Sequence, residues 1–353
     1  MASLYQSVAA PRLLGSLSDP RLAIGGVRFD ALLLWGCPLA AMLFVWTWVA
    51  GAGMLPDAAR QPAIALLALG VAILTFAHLI AVVPRAYLNR EVFAANRRRL
   101  TVVPVLLILA LVASPTLLVC GAVLAVFWDV HHSAMQSFGL ARIYDMKAGN
   151  DPHVLRRTDL RLNWALYVGP IAAGASLAVH LATLEAFDRI GWSMLASLPG
   201  FADGHAGLIR EAAIAAWLAI IAWAAFDYRA AMARGYRLPV HKLALIGSAG
   251  LVSIAAWGLS SPVIAFAIIN LFHAVQYFAL VWLKEGGRIQ AAARTGSTRR
   301  PLALILFLGL CAGFGFAYQY FQALRWLAGL FVACSLLHFW YDSFVWSVRK
   351  KQV

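Results

Sequence analysis

Charge is the scarcest property of this sequence. Of its 353 residues only 12% are Asp, Glu, Lys or Arg, whereas 62% are apolar. Soluble domains carry about twice that charged share, so a water-facing surface for this chain is excluded. Disorder is excluded as well, because a chain this apolar does not stay solvated. Cysteine is also rare. The four present, Cys37, Cys120, Cys311 and Cys334, all fall in apolar stretches. No CxxC or CxxCH occurs, so neither a disulfide scaffold nor covalent haem attachment is expected. Alternating ten-residue strands are missing too, which removes a membrane β-barrel.

What the chain has instead is long apolar runs. They lie at about 31–54, 62–84, 163–187, 207–228, 243–258, 262–283, 301–318 and 326–347. Most are long enough to cross a bilayer as a helix, at about 20 residues per crossing, and 243–258 is close to it. The stretch 101–141 is long enough for two crossings, and Ser114-Pro115 is a turn signal inside it. Splitting it into 101–114 and 117–141 gives ten helices, the first of that pair being short for a full span. The expected fold is therefore all-α: a polytopic helical bundle of about ten transmembrane helices. Residues 1–30 read as a cytoplasmic or interfacial segment, 31–347 as one transmembrane domain, and 348–353 as a basic cytoplasmic tail. The first 28 residues are too polar for the apolar core of a signal peptide.

The basic residues test this topology. With the N-terminus inside, 25 of the 29 Lys and Arg fall in inside segments. Only Arg60, Arg189, Arg210 and Arg325 fall outside. That asymmetry follows the positive-inside rule, and it accounts for the net charge of +14 without nucleic acid. Both termini are then cytoplasmic. The expected location is a cell membrane, of the bacterial inner-membrane kind, with the lipid bilayer as the surrounding partner. Arg85, Arg142 and Lys284 sit at the inner rim, where a lipid headgroup is a possible partner beside their topological role. Gly309 and Gly313 have the GxxxG spacing of close helix packing.

A polar group in mid-membrane costs about 2.5–3.5 kcal/mol on insertion scales, so each needs a partner or a task. The strongly polar residues inside spans are few: His78, Asp129, His131, His132, Gln136, His180, His273, Gln276, His338 and Asp342. Helices 2, 4, 8 and 10 of the ten all run from outside to inside. Counting back at about 1.5 Å per residue puts His78 about 9 Å deep, His132 and His338 about 13 Å, and His273 about 15 Å. Four helices thus bring imidazoles to one layer. His180 runs to the opposite side and reads as structural.

Spacing narrows the chemistry. His338 and Asp342 are i, i+4 on one helix face. Asp129, His132 and Gln136 share a second face. His131 is rotated about 100° from His132. His273 and Gln276 are i, i+3, with Tyr277 beside them and Asn270 one turn earlier. Neutral imidazoles with a carboxylate in a dry pocket suit a transition metal. The expected ligands are His78, His131, His132, His273, His338 and Asp342, with Asp129, Gln136, Gln276 and Tyr277 as supporting hydrogen-bond partners. With no cysteine nearby, non-haem iron, mono- or dinuclear, is favoured; haem b and zinc are the alternatives.

In general character, these histidines resemble those of the His-rich membrane oxygenases. Membrane desaturases and hydroxylases carry HxxxH and HxxHH boxes on cytoplasmic segments. Here the one pair is His131-His132, there is no HxxxH, and the histidines lie within spans. That placement is more similar to the bacterial carotene-cleaving oxygenases, and it implies oxidation of an apolar substrate. The expected activity is a membrane-bound oxidoreductase that hydroxylates, desaturates or cleaves a lipid or isoprenoid, served by a cytoplasmic electron donor. No catalytic base is assignable. Two other readings are a haem-binding electron carrier and a transporter with a His/Asp ion site. No span has two histidines 13 or 14 residues apart, as bis-His cytochrome helices do, and no inverted repeat is visible.

Overall fold

The computed structural model describes residues 13–174, 176–296, 298–321 and 323–346. The start of the N-terminal segment and the basic tail 348–353 lie outside the described residues. Among the described residues the fold is all-α apart from one two-residue parallel pair, β1 (Leu13–Leu14) with β2 (Leu238–Pro239). In chain order the helices are α1 (Val27–Leu33), α2 (Cys37–Gly53), α3 (Asp57–Leu79), α4 (Arg90–Ala95), α5 (Arg97–Ala113), α6 (Pro115–Lys147), α7 (Arg156–Ala173) and α8 (Ser176–Ala182). There follow α9 (Ser193–Ala196), α10 (Leu198–Gly204), α11 (Ala206–Ala233), α12 (Val240–Leu259), α13 (Pro262–Ala292), α14 (Arg300–Phe321) and α15 (Arg325–Val345).

Among the described residues, eight segments are long and apolar enough to cross a membrane, and nine if the bent pair Arg156–Ala173 and Ser176–Ile190 is one span. α5 has 17 residues, or about 25 Å of helix, slightly short of a ~30 Å hydrocarbon core. The break between α5 and α6 falls at Ser114. Its hydroxyl accepts the Leu117 N–H and Pro115 opens the next helix, a strong start signal. α6 then runs six residues past the expected 141, so Arg142, Asp145 and Lys147 are helical rather than in a loop.

The expected span 163–187 is not continuous. α7 ends at Ala173, and the following helical segment is turned by 91°. Gly174 is extended, and a Cβ there would strike the Trp257 carbonyl, so the chain bends where α12 approaches most closely. The glycine pair read as a packing seam also differs. A Cβ on Gly309 or Gly313 would meet nothing, whereas one on Gly315 would collide with the backbone of Ile73. α14 therefore lies on α3 through Gly315, and Phe76 stacks on Tyr318 beside it, with centroids 3.4 Å apart. This contact fixes the height of α3, and with it His78.

α3, α6, α13 and α15 surround the centre and point the same way. Tyr277, four residues after His273, bonds Asp342, four residues after His338. Gln136, four after His132, bonds Gln276, three after His273. Arg85, seven after His78, bonds the carbonyl of Val345, seven after His338.

Candidate metal centre

The helix register above brings four imidazoles into a ring. Centroid distances around it are 4.9 Å from His78 to His273, 4.9 Å from His273 to His132, 4.7 Å from His132 to His338 and 4.9 Å from His338 to His78. The diagonal from His78 to His132 is 6.3 Å. Neighbouring rings are nearly perpendicular, at 70 to 89°. All four are about 99% buried or nearly so, with 1% exposure at His78, His273 and His338 and 3% at His132.

The dimensions match a metal ion. At a metal–nitrogen distance of about 2.1 Å, two ligands at right angles have nitrogens about 3.0 Å apart. The Nε2 atoms of His132 and His338 are 3.1 Å apart. One ligand atom from each of His78, His132 and His338 lies within 4.8 Å of the others; His273 completes the ring of centroids but is not in that triad.

Hydrogen bonding points the same way. Both ring nitrogens of His78, both of His273 and Nδ1 of His338 are buried without a well-formed hydrogen bond among the described residues, although His78 interacts with the backbone of Thr75 and His338 with that of Leu79. Leaving a buried polar group unpaired costs about 1–3 kcal/mol, so groups of this kind call for a partner.

Asp342 stands beside the ring with its side chain 16% exposed. Its Oδ2 is 3.9 Å from Nε2 of both His132 and His338. Its Oδ1 accepts from the Tyr277 hydroxyl at 2.7 Å and from the Trp346 indole at 3.1 Å. One oxygen is thus held while the other faces the histidines. Trp346 was not legible in the sequence, because it lies just past α15 among the residues that end a span.

The other expected residues sort by helix angle. Gln136 donates to the His273 carbonyl at 3.1 Å and to Gln276 at 2.8 Å, and Gln276 donates to the Leu34 carbonyl at 2.6 Å. This chain of amides ties α6, α13 and the residue after α1 under the ring. Asp129 is half-buried and makes no hydrogen bond or ion pair among the described residues. His131 does not join the ring. Its Nδ1 accepts the Trp164 indole N–H at 2.6 Å, on the α7 side of α6. The rotation of about 100° between adjacent helical residues takes it there. His180 bonds its own helix at the Ser176 carbonyl and packs on Trp257.

A second polar cluster lies at the end of α6. Arg142 Nη1 is 2.6 Å from both Asp145 Oδ2 and Asp159 Oδ2. Lys242 Nζ is 2.7 Å from Asp145 and 2.8 Å from Asp159. Tyr236 and Tyr228 donate their hydroxyls to Asp145 and Asp159. Burial, followed by the Asp145 carboxylate, pushes the Tyr236 phenol well above its usual range. Two cations face two anions, and every one is buried. Arg142 is therefore spent inside the bundle rather than on a headgroup. Arg85 likewise pairs with the fully buried Glu285 at 2.6 Å.

Comparison with family models, with curated proteins and with solved structures finds no match for this chain.

Proposed function

We propose that the chain is a multi-pass membrane metalloprotein whose ion is held by His78, His132, His273 and His338. The observation that carries this reading is the ring of four buried imidazoles, with the Nε2 atoms of His132 and His338 3.1 Å apart and both nitrogens of His273 buried without a partner among the described residues. Imidazole-rich sites suit iron, copper or zinc, and iron with oxidative chemistry is our reading. When bound, the metal supplies the redox chemistry; the protein supplies a dry enclosure, a fixed ligand geometry and a carboxylate at the edge. Asp342 orients His132 and His338 or closes on the ion, and Tyr277 and Trp346 set its angle.

The substrate in this reading is apolar and arrives from the bilayer. Phe339 packs on His132 at 4.7 Å and on Trp128 at 6.1 Å, so an aromatic wall adjoins the ring. Electrons would enter from a cytoplasmic donor. Ten crossings follow when α5 and the bent α7–α8 pair are counted with the eight long spans, and both termini are then cytoplasmic. A haem sandwich is disfavoured, because axial histidines face each other across a macrocycle. His132 and His338 approach too closely for that, with two more imidazoles beside them.

Elemental analysis of the detergent-purified chain tests the reading. We expect about one iron per chain, lost in His132→Ala and His338→Ala while both variants keep their helical circular dichroism and monodispersity. Gently prepared wild-type protein that carries no transition metal and takes none up would overturn it.

A further inference from the structure

On each helix that delivers a ring imidazole, the residue three positions earlier is polar: Thr75 before His78, Asp129 before His132, Asn270 before His273 and Ser335 before His338. Positions i and i−3 share a helix face, and three residues advance about 4.5 Å. The four helices are parallel, so the four side chains form a second layer on one side of the ring. Asp342, Tyr277 and the Gln136–Gln276 pair lie on the other side.

The hydrogen bonds in this layer are one-sided. Thr75 Oγ1 donates to the Val71 carbonyl at 2.8 Å, Ser335 Oγ to the Phe331 carbonyl at 3.2 Å, and Asn270 Nδ2 to the Phe266 carbonyl at 3.1 Å. Each of the three donates to its own helix, and one N–H of Asn270 is left over. What remains is mostly acceptors: two hydroxyl lone-pair sets, the Asn270 Oδ1 that has no partner among the described residues, and the Asp129 carboxylate. Asn270 is 3% exposed and Thr75 and Ser335 are 8% exposed, so solvent at a free surface does not satisfy them. One carboxylate among three neutral oxygens is a poor set for a hard cation, which gathers several carboxylates. The complementary ligand is an O–H donor.

On α6, exposure rises along one face on this side of the ring. Ala122, Val126, Asp129, Ser133, Ser137 and Leu140 form one stripe of that helix. Its last three are buried, whereas Val126 and Asp129 are half-buried and Ala122 is exposed.

We propose that Thr75, Asp129, Asn270 and Ser335 line an acceptor pocket above the imidazole ring that binds an O–H group: water, or the hydroxyl end of an apolar alcohol. The pocket needs no metal, so its test is run on the full chain in detergent with chelator present. Thermal unfolding is followed with octanol and with octyl methyl ether, which has the same tail and no donor. An alcohol site predicts that octanol raises the midpoint by about 3 °C more than the ether. Asn270→Leu abolishes that difference, and Asp129→Asn, which keeps an acceptor, retains it. In parallel, Val126→Cys and Asp129→Cys are made in a chain with the four native cysteines replaced. They are treated with a charged methanethiosulfonate, which reacts with thiols that water reaches. Equal response to alcohol and ether, with both cysteines labelled, supports water as the occupant. Equal response with both cysteines unreactive overturns the pocket. Iron content of the same unchelated preparations shows separately whether the metal reading stands.

Discussion

The imidazole ring and the ion cluster at the end of α6 are both buried and polar, yet they are built in opposite ways. In the cluster, Arg142, Lys242, Asp145 and Asp159 balance in charge, and each finds its partner at 2.6 to 2.8 Å. In the ring, four groups of one kind meet, and both nitrogens of His273 are left without a partner among the described residues. A network that satisfies itself holds α6, α7 and α12 together and asks for nothing more. A buried network that does not is where a ligand is to be looked for, and burial and polarity alone do not separate the two regions, since both share those.

Breaking the cluster has the largest expected effect on stability. Lys242→Met leaves two buried carboxylates to a single Arg142, and removing one partner of a buried pair costs about 3–5 kcal/mol. Denaturant unfolding in mixed micelles reads this, and a loss below 1 kcal/mol would mean that the cluster is hydrated and not a clamp. The ring responds differently. Asp342→Asn leaves the fold unchanged and weakens metal affinity by about 10–100-fold, the usual cost of losing a group that orients ligands. Competition with a chelator measures it, and unchanged affinity would remove Asp342 from the site.

A pH scan sharpens the contrast. The Tyr236 phenol is held above its ordinary range in the folded chain. Its contribution is therefore fully present below its unfolded pKa of about 10 and is lost as pH rises beyond that. Tyr236→Phe should flatten the alkaline limb of a stability–pH curve; an unchanged limb would contradict the assignment. The smallest effect belongs to His131→Ala. It removes one hydrogen bond to a Trp164 that is 46% exposed, so metal content should not change and stability should fall by less than about 1 kcal/mol. Loss of metal there would place a fifth histidine in the ring.

Much of the ring was legible in the sequence. Depth along a helix is a matter of counting, and four imidazoles at one height on four helices is a pattern that composition does not hide. Angle was less legible. His131 and His132 are neighbours in sequence and at similar depth, and only packing against α7 decides which one turns inward. The Ser114-Pro115 break was readable because a capping residue and a proline carry their own geometry. The bend at Gly174 was not, because the apolar run continues through it and only the approach of α12 forces the turn. The ion cluster was missed for a related reason. Asp145, Asp159 and Lys242 look like loop charges in a hydropathy count, and nothing local says that one helix end and two helix starts converge. Gly315 in place of Gly309 and Gly313 teaches the same point: a small-residue spacing marks where close packing is possible, and the neighbour decides which glycine is used.

The central claim is that four imidazoles share one ion. X-ray absorption at the metal edge of the purified chain, wild type beside His273→Ala, tests it most directly. The account predicts a nitrogen shell near 2.1 Å with the outer scattering of three or four imidazoles, one imidazole fewer in the variant. A shell with no imidazole scattering, or one that His273→Ala leaves unchanged, would contradict it.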